Sequence, residues 1–398
     1  MSRGPTATEP TSSDQDHGLV ADSERGRRWA ATMAGHGRGP TRTAHADSPT
    51  RRAPSGASLH DRVEREGLED RALAPEATRA VEAGNRRRPE HPDPMRTCFE
   101  RDRDRILHSS AFRRLAGKTQ VFIFPADHQR TRLTHALEVA QVATSVARAC
   151  RLNVALTEAI ALGHDCGHGP GGHASEDALS VFLPGGFDHA VWGADVSLRS
   201  LNLCAETLDG IRNHSWSRPA PSTPEGEVVS WADRIAYVCH DWEDAVSAGI
   251  VNSGQLPDEV RRRCGTGRGE QLGAFVAAVV DAVHTTGTVG MEEEAADALA
   301  AFRRTNYERI YLRPSSVAQG SAVVAVLRAL VEHFADHPGR IPAVRENGGL
   351  ASDQDAVGAA VEYVAGMTDR FAMGCAVSEL GWDPARLPRG VDEVRPLH

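Results

Sequence analysis

Two neighbouring helical segments that both carry histidine constrain the fold of this chain more than any other feature of its sequence. Residues 132–149 and 155–164 have apolar side chains at helical spacing, so both predict helices that bury one face. His135 stands near the start of the first segment, and the second segment ends on the doublet His164-Asp165 before a glycine-rich run. The histidine near the start of one helix and the doublet at the end of the next make three candidate ligands for a divalent cation.

A downstream carboxylate completes a candidate site for a divalent cation. Asp233 lies in a third helical segment, residues 228–248. With His135, His164 and Asp165 it offers two imidazoles and two carboxylates, a set without thiolate that favours Mn, Fe, Co or Mg over structural zinc. Adjacent helical residues point about 100° apart, so the doublet can hold one ion only at the edge between its side chains. A lone histidine is usually structural, but this ordered set predicts a metal site.

The remaining periodicity predicts an all-α fold. Further helices are expected at residues 101–115, 173–182, 202–213, 270–285, 290–309, 315–336 and 353–373. Residues 118–124 (KTQVFIF) combine β-branched and aromatic side chains, and they predict a short strand or β-hairpin arm. No segment approaches the roughly 20 consecutive apolar residues that a bilayer span needs, so no membrane association is expected.

Composition changes along the chain and predicts its domain boundaries. Residues 1–94 are rich in arginine, proline and glycine without sustained periodicity, so they predict a disordered tail in which only 76–83 can form a short helix. An arginine-rich arm that touches nucleic acid is the weaker alternative for this tail. A globular domain is expected over residues 95–373, with its metal core at about 130–250 and a carboxy-terminal extension over 374–398.

Charge and cysteine content narrow the class of protein. The formal net charge of −9 argues against a protein that coats nucleic acid, although it is compatible with a local basic pocket. The seven cysteines are scattered without a Cys-x-x-Cys pair, which indicates reduced thiols. Because the amino terminus lacks the pattern of a secretory signal, we expect a cytoplasmic protein.

Seven segments carry a resemblance to a known family. They are RDRDRILHSSAFRRLAGKTQVF, RTRLTHALEVAQVA, EAIALGHDCGHGPGGHASEDAL, GGFDHA, LNLCAETLDGIRNHSW, VVSWADRIAYVCHDWEDAVSAGI and VAGMTDRFA. Together they resemble the HD-domain superfamily, named for its His…His-Asp…Asp metal centre, and within it the bacterial deoxyguanosinetriphosphate triphosphohydrolase (dGTPase)-like family. The combination is specific, whereas one segment alone is not. The resemblance implies an HD-type helical bundle.

The resemblance also implies roles for twelve residues at matching positions. The implied metal ligands are His135, His164, Asp165 and Asp233. The implied substrate-binding residues are Gln120, Arg132, His168, Tyr237 and Asp241. The implied catalytic residues are His173, Glu176 and His189.

In this implied arrangement, the phosphates and the sugar have separate partners. Arg132 would neutralise triphosphate oxygens with its planar fork of donors, and Gln120 would read the sugar 3′-hydroxyl. His168 and His173 would face the α-phosphate, with Glu176 orienting His173.

The face of the third helical segment supplies the rest of the implied site. Asp233, Tyr237 and Asp241 recur at i, i+4 and i+8, which places them along one helical face. Tyr237 would stack on the deoxyribose and Asp241 would accept the 3′-hydroxyl proton, although plain core packing is the alternative for Tyr237. His189 is a further acid/base candidate.

The chain departs from the family pattern at two places. Cys166, Gly169 and Gly171 replace Leu, Pro and Phe in the loop after the doublet. Gly171 is expected to remove a wall of the pocket and to loosen the loop. Amide side chains that would steady His189 are absent, because alanine and valine follow it. These changes are expected to affect rate and base preference more than reaction type.

The resemblance therefore predicts an enzyme that hydrolyses a deoxynucleoside triphosphate, dGTP by default, to the deoxynucleoside and inorganic triphosphate, with Mn, Mg, Co or Fe as cofactor. Two alternatives stay open: an HD phosphohydrolase on another nucleotide, and a non-catalytic sensor that binds dNTP or DNA. The family also implies a homo-oligomer and a single-stranded DNA or dNTP effector, at sites that the sequence does not locate.

Overall fold

The structure of the chain, a computed structural model, describes residues 23–31, 35–36, 41–46, 60–125, 128–350 and 355–388. The chain divides into two units, residues 1–59 and residues 60–398. In the first unit, helix α1 (Glu24–Ala31) buries none of its side chains, and His36 and Thr43 form an isolated antiparallel bridge. The rest of the predicted tail within this unit lies outside the described residues.

Helices build the described part of the second unit. In chain order they are α2 (Arg62–Ala72), α3 (Cys98–Leu107), α4 (Ser110–Arg114), α5 (Arg132–Ala149), α6 (Val154–Gly163), α7 (Ala174–Leu179), α8 (His189–Trp192), α9 (Ala205–Asn213), α10 (Pro224–Ser247), α11 (Asp258–Cys264), α12 (Arg268–Thr286), α13 (Glu293–Asn306), α14 (Pro314–Asp336), α15 (Pro342–Glu346), α16 (Ala356–Ala365) and α17 (Asp369–Leu380). Short 3₁₀ turns lie at Leu115–Gly117, Ser180–Phe182, Arg199–Leu201, Ser253–Gln255, Pro338–Arg340 and Pro384–Arg386, and π turns at Gly193–Ser197 and Tyr307–Tyr311. The described residues contain no β-strand, so the all-α prediction is confirmed for them.

A first hydrophobic cluster forms around three helices that carry the predicted metal ligands. Helix α5 packs against α6 and α10, and α6 also packs against α3 and α9. The starts of α6 and α10 are fixed by side-chain caps, because Asn153 accepts a hydrogen bond from Leu156 N and Thr223 accepts one from Gly226 N. Fully buried side chains such as Ile160 each contribute about 1.5–3 kcal/mol. This packing sets the spacing of the ligand-bearing segments.

A second hydrophobic cluster forms around α14. This helix packs against α7, α16 and α17, and it buries Val323, Leu327 and Leu330 completely. By length and composition alone, Pro314–Asp336 is apolar enough to cross a bilayer, which the sequence analysis did not recognise. Packing buries six of its side chains, all between Val323 and Phe334, and 28% of the apolar stretch is buried.

The predicted β-hairpin arm is wrong. Residues 118–124 form bends, and only Thr119 makes an isolated bridge, to Thr131. The backbone N–H and hydroxyl of Thr119 both donate to Asp369 Oδ2, at 2.9 and 2.6 Å. Phe122 is buried in the first cluster and Ile123 in the second. The segment therefore bridges two cores, and burial overrides its β-propensity.

The predicted disordered tail is too long at its carboxyl end, because residues 60–94 belong to the second unit. Thr78 donates through its backbone N–H and its hydroxyl to the fully buried carboxylate of Glu225, at 3.0 and 2.7 Å. Arg86 forms a buried ion pair with Asp102, at 2.6 Å. A polar composition therefore concealed a segment that is held by buried hydrogen bonds and by apolar contacts of Ala77 and Ala80 with the first cluster.

Three other predicted boundaries also differ from the structure. Residues 76–83 form turns rather than a helix. The helix predicted at 353–373 is interrupted, because α17 begins anew with Thr368 capping the N–H of Phe371. That last helix continues past residue 373 to Leu380 and buries Ala376, so the expected extension contributes to the second cluster.

Candidate active-site cavity and metal centre

A cavity of about 580 Å³ is lined by residues from both hydrophobic clusters. Eleven of the twelve predicted site residues line it, namely Gln120, Arg132, His135, Asp165, His168, His173, Glu176, His189, Asp233, Tyr237 and Asp241. The twelfth, His164, is fully buried and contacts the carboxylates of two of these residues. Residues that are far apart in the sequence therefore surround one space.

Three of the predicted ligands converge around the carboxylate of Asp233. Asp233 Oδ1 lies 3.0 Å from His135 Nε2 and 3.6 Å from His164 Nε2. Nδ1 of His164 lies 2.6 Å from the carbonyl oxygen of Ala161, which leaves its buried Nε2 without a hydrogen-bond partner. A carbonyl acceptor at one ring nitrogen, with the other nitrogen turned toward the ion, is the usual arrangement of a histidine metal ligand.

The fourth predicted ligand, Asp165, shares its carboxylate with neighbouring groups. Arg132 Nη1 donates to Asp165 Oδ2 at 2.6 Å, and the same oxygen lies 3.9 Å from His135 Nε2. The other oxygen lies 3.2 Å from His168 Nε2 and 3.5 Å from His164 Nε2. The structure thus brings the four side chains together, with Asp165 turned partly toward Arg132.

The electrostatics of this cluster suit a cation. Burial alone would raise the pKa of Asp165 and of Asp233, but Arg132 and His164 hold the first well below its usual value, and His135 and His164 hold the second there. Burial alone would lower the pKa of His164, yet the two carboxylates outweigh it and raise this pKa to about 9. The site therefore attracts positive charge, and the His135, His164 and Asp233 ligand atoms lie within 4.8 Å of one another. These residues fit a divalent metal ion.

A second polar cluster lies beside the metal cluster and joins His168, His173, Glu176 and His189. The rings of His168 and His189 stack at 3.8 Å between centroids. Glu176 is hydrogen-bonded through Oε1 to His189 Nδ1, and not to His173 as the sequence analysis expected. The carboxylate therefore fixes the orientation of the His189 imidazole.

His214 is a member of the site that the sequence analysis did not assign. Its Nε2 lies 3.2 Å from His189 Nε2, and its Nδ1 lies 2.8 Å from the carbonyl oxygen of Ile211. Burial and the neighbouring His164 and His189 lower the pKa of His214 to about 4. A neutral imidazole therefore faces His189. The Asn-His-Ser-Trp stretch that contains His214 belongs to a resembling segment and was the available signal.

The far end of the cavity contains a buried carboxyl group, Asp241. Tyr311, from the π turn before α14, donates its hydroxyl to Asp241 Oδ2, while Oδ1 has no hydrogen-bond partner. Burial raises the pKa of Asp241 to about 8, although the Tyr311 hydrogen bond opposes the rise. Gln120 Oε1 is likewise buried without a partner. These two acceptor groups line the same cavity as the metal cluster.

Tyr237 packs against the first hydrophobic cluster, and its hydroxyl accepts a hydrogen bond from a cation. Arg303 Nε donates to the Tyr237 hydroxyl at 2.7 Å, and the Arg303 guanidinium lies 5.0 Å from the centroid of the Tyr307 ring. Both Arg303 and Tyr307 line the cavity. No sequence pattern indicated Arg303 or Tyr311, because their positions depend on how the segment around 303–311 packs onto α10.

The glycine-rich loop after the doublet is held in place, contrary to the expectation that Gly171 loosens it. Gly171 N donates to Asp369 Oδ1 at 2.8 Å, and Gly169 N donates to Ser175 Oγ at 3.0 Å. Gly171 has φ +73°, and a Cβ there would lie 2.5 Å from Val323 Cγ1. Val323 therefore occupies the space beside residue 171, and glycine is required there by conformation and by packing.

Comparisons with known proteins agree with this architecture. A family model described as "HD domain" matches residues 132–238, and one described as "Phosphohydrolase-associated domain" matches residues 289–376. The first match contains all four predicted metal ligands, and the second contains α14, α16 and most of α17.

Curated relatives match over most of their length. A deoxyguanosinetriphosphate triphosphohydrolase-like protein of Caldanaerobacter subterraneus is 41% identical over 77% of this chain and 92% of its own length. A protein of the same name from Desulfatibacillum aliphaticivorans is 38% identical over 78% of this chain and 95% of its own. A solved phosphohydrolase structure from Bacteroides thetaiotaomicron matches with a TM-score of 0.43 at 18% identity over 69% of this chain and 68% of that chain, too distant a likeness to add to the argument.

Proposed function

Because this chain belongs to the family of deoxyguanosinetriphosphate triphosphohydrolase-like HD-domain proteins, we propose that it hydrolyses deoxynucleoside triphosphates to the deoxynucleoside and inorganic triphosphate. Water would attack the α-phosphorus, the bond to the 5′-oxygen would break, and that oxygen would leave with a proton. dGTP is the substrate we expect first, since relatives carry that name.

One observation carries this proposal. A single cavity has the His/Asp cluster and Arg132 along one part of its wall, and the unpartnered acceptors of Gln120 and Asp241 along another. A buried acceptor without a partner costs about 1–3 kcal/mol unless a ligand supplies a donor. A sugar hydroxyl would supply that donor while the phosphates of the same molecule lie near Arg132, as a nucleoside triphosphate requires.

The metal would be held by His135, His164, Asp165 and Asp233, with Mn, Mg, Co or Fe as the candidates that this ligand set favours. When bound, such an ion lowers the pKa of water and offsets charge on a phosphate oxygen. The guanidinium group of Arg132 would offset phosphate charge locally in a chain whose net charge is −9.

His189 would move the proton in this reaction. Glu176 holds its Nδ1, which orients the ring, and its Nε2 lies 3.9 Å from Asp165 Oδ1 and faces the metal cluster. An imidazole that is fixed at one nitrogen can exchange a proton at the other, as a general acid or base does. His173 borders the same cluster, with its ring 5.9 Å from that of His189, and remains a candidate for contact with the α-phosphate.

Product analysis tests the proposal. The purified protein is incubated in H₂¹⁸O with Mn²⁺ or Mg²⁺ and with each of the four dNTPs or GTP. The products are then separated, and their molecular masses are measured. We expect deoxynucleoside and triphosphate, with ¹⁸O in the triphosphate, and no turnover by Asp233→Ala. Monophosphate with pyrophosphate would contradict the proposal. A dNTP-induced rise in Tm without any product would instead support a sensor that binds but does not react.

A further inference from the structure

The segment VAGMTDRFA, which joins α16 to α17, is one of the seven resembling segments, yet none of the twelve implied site residues lies in it. Its carboxylate, Asp369, is 3% exposed and accepts three hydrogen bonds. Thr119 donates to Oδ2 through its backbone N–H at 2.9 Å and through its hydroxyl at 2.6 Å, and Gly171 N donates to Oδ1 at 2.8 Å. One buried carboxylate thus joins three segments that are far apart in the sequence.

Both donors stand close to groups of the predicted active site. Thr119 directly precedes Gln120, whose buried Oε1 has no partner and whose side chain lines the active-site cavity. Gly171 lies in the glycine-rich loop, two residues before His173, which lines the same cavity. Asp369 is not among the described residues that line this cavity, so its effect on the cavity passes through the two residues that it holds.

Neighbouring contacts fasten the same junction to the same segment. Lys118, the only lysine of the chain, is buried and donates from Nζ to the carbonyl oxygen of Ala365, the last residue of α16, at 3.1 Å. A cation at the carboxyl end of a helix satisfies a carbonyl that the helix leaves free. The same ammonium donates to the carbonyl oxygen of His168. Arg114 Nη1 donates to the carbonyl oxygen of Gly366 at 2.7 Å. The junction is therefore held at several points.

Close packing leaves little room between these segments. A Cβ on Gly117 would lie 2.9 Å from Thr368 Cβ. A Cβ on Gly172 would lie 2.9 Å from Arg132 Nη2 and 3.1 Å from the carbonyl oxygen of Thr119. Since protein interiors are hardly compressible, a displacement of the junction is passed on to the glycine-rich loop and to the segment beside it.

We propose that Asp369 is a positioning residue for the reaction. It sets where Gln120 meets the sugar 3′-hydroxyl of a deoxynucleoside triphosphate, and it sets where the glycine-rich loop holds His168 and His173. This inference rests on the proposed function, which supplies the substrate. Asp369 lies in the match to the phosphohydrolase-associated domain, so it connects that part of the chain to the predicted active site.

Steady-state kinetics of Asp369→Asn with dGTP and with 2′,3′-dideoxy-GTP test the proposal. The amide keeps the size of the side chain, but its NH₂ group replaces an acceptor oxygen, so either Thr119 or Gly171 loses its acceptor. A small misplacement away from the chemistry can be costly, so kcat/KM for dGTP is expected to fall by about 10- to 100-fold, with a raised KM. The preference for dGTP over the dideoxy analogue is expected to shrink by about 5-fold, because the contact of Gln120 with the 3′-hydroxyl weakens.

Glu225→Gln is the matched control. Glu225 is also a fully buried carboxylate with three donors, namely the backbone N–H and hydroxyl of Thr78 and the backbone N–H of Asn153. It is not among the residues that the structure describes as lining the active-site cavity. We expect a loss of Tm similar to that of Asp369→Asn, but an unchanged KM and an unchanged preference between the two nucleotides. A purely structural effect lowers kcat through a smaller folded fraction and leaves KM as it is.

A second pair of variants tests the link between Thr119 and Asp369. Thr119→Ser keeps the hydroxyl that donates to Asp369 and is expected to keep the KM for dGTP. Thr119→Val removes this hydroxyl at nearly the same shape and is expected to raise KM. Thr119→Val combined with Asp369→Asn is expected to lose less kcat/KM than the product of the two single losses, because both changes act on one hydrogen-bonded pair.

Wild-type KM and preference in Asp369→Asn, or equal changes in Glu225→Gln, would overturn the proposal. If Asp369→Asn did not fold, Thr119→Val would decide, and a wild-type KM in that variant would overturn the proposal as well. A wild type without turnover of dGTP would contradict the proposed reaction by itself. Calorimetric dissociation constants for the two nucleotides would then test the positioning role, and equal affinities in the wild type would overturn it.

Discussion

Glu176 is hydrogen-bonded to His189, thirteen residues further along the chain, rather than to His173, three residues before it. The other ring nitrogen of His189, Nε2, faces Asp165 and His214. A carboxylate on one side of an imidazole holds its orientation and stabilises its charged form. This relationship favours His189 over His173 as the group that moves protons.

The first prediction separates the two histidines. His189→Gln is expected to lower kcat by about 10²–10⁴-fold, since general acid–base help is typically of that size. The glutamine of Glu176→Gln can still orient the His189 ring but cannot stabilise a positive charge on it. A smaller loss of kcat than in His189→Gln and an altered pH–rate profile are therefore expected. His173→Gln serves as the comparison, and steady-state kinetics with dGTP provide kcat. A larger loss of kcat in His173→Gln than in His189→Gln would reverse the assignment.

The convergence of the metal cluster could be predicted from the sequence, because His135 and Asp233 lie on helices whose apolar faces are visible in the periodicity. His164 and Asp165 directly follow α6, whose apolar residues are equally visible. Residues 132–149 were predicted as a helix with the bounds that α5 has. Once α5, α6 and α10 pack on their apolar faces, the relative positions of His135 and Asp233 are largely fixed. Local pattern and tertiary packing agree in this part of the chain.

Pairings on loops and irregular turns could not be predicted in the same way. Whether Glu176 bonds to His173 or His189 depends on how the short helices α7 and α8 sit on either side of a loop, which periodicity does not report. Tyr311 reaches Asp241 from a π turn some 70 positions away. The β-branched and aromatic side chains of residues 118–124 predict a strand, because nothing local reveals that successive side chains enter two different clusters.

The second prediction concerns metal content. Asp233→Asn preserves volume but removes the carboxylate that His135 and His164 share, so the affinity for Mn²⁺ is expected to fall by at least about 10-fold. Metal analysis after dialysis gives the number of ions per chain. Added Mn²⁺ is expected to raise the Tm of the wild type but not that of Asp233→Asn. Glu227→Gln, on the same helix but outside the active-site cavity, is the control. Equal metal content in the wild type and Asp233→Asn would remove this residue from the ligand set.

The third prediction tests the glycine loop. Gly171→Ala forces an alanine to φ +73° and places its Cβ 2.5 Å from Val323 Cγ1, so the free energy of unfolding is expected to fall by about 1–3 kcal/mol or more. Gly185→Ala is the matched control, because its Cβ would meet nothing within 4 Å. Urea denaturation of both variants measures the difference. If Gly171→Ala were as stable as Gly185→Ala, the loop would be looser than the structure describes.

The last prediction concerns pH and the buried Asp241. Its pKa is about 8 in the folded protein, against an ordinary value of 3.8 for an aspartate, so between these values the folded state binds more protons than the unfolded state. The free energy of unfolding therefore falls as pH rises through this window, by at most about 1.4 kcal/mol per pH unit. Asp241→Asn cannot lose a proton. In thermal melts without nucleotide, the Tm of Asp241→Asn minus that of the wild type is therefore expected to increase from pH 5 to pH 8.5.

Tyr311→Phe tests the same link between the protonation of Asp241 and stability, because Tyr311 is the hydrogen-bond partner of Asp241. The Tyr311 hydroxyl donates to Asp241 Oδ2 and thereby favours the ionised carboxylate, so its removal raises the pKa of Asp241 further. The pH-dependent loss of stability that Asp241 causes should then extend to higher pH in Tyr311→Phe. It should vanish in the double variant Tyr311→Phe with Asp241→Asn. A pH dependence of Tm that is identical in the wild type and Asp241→Asn would show that Asp241 is ionised in the folded protein throughout this range. The carboxyl group would then meet a sugar hydroxyl as an acceptor only.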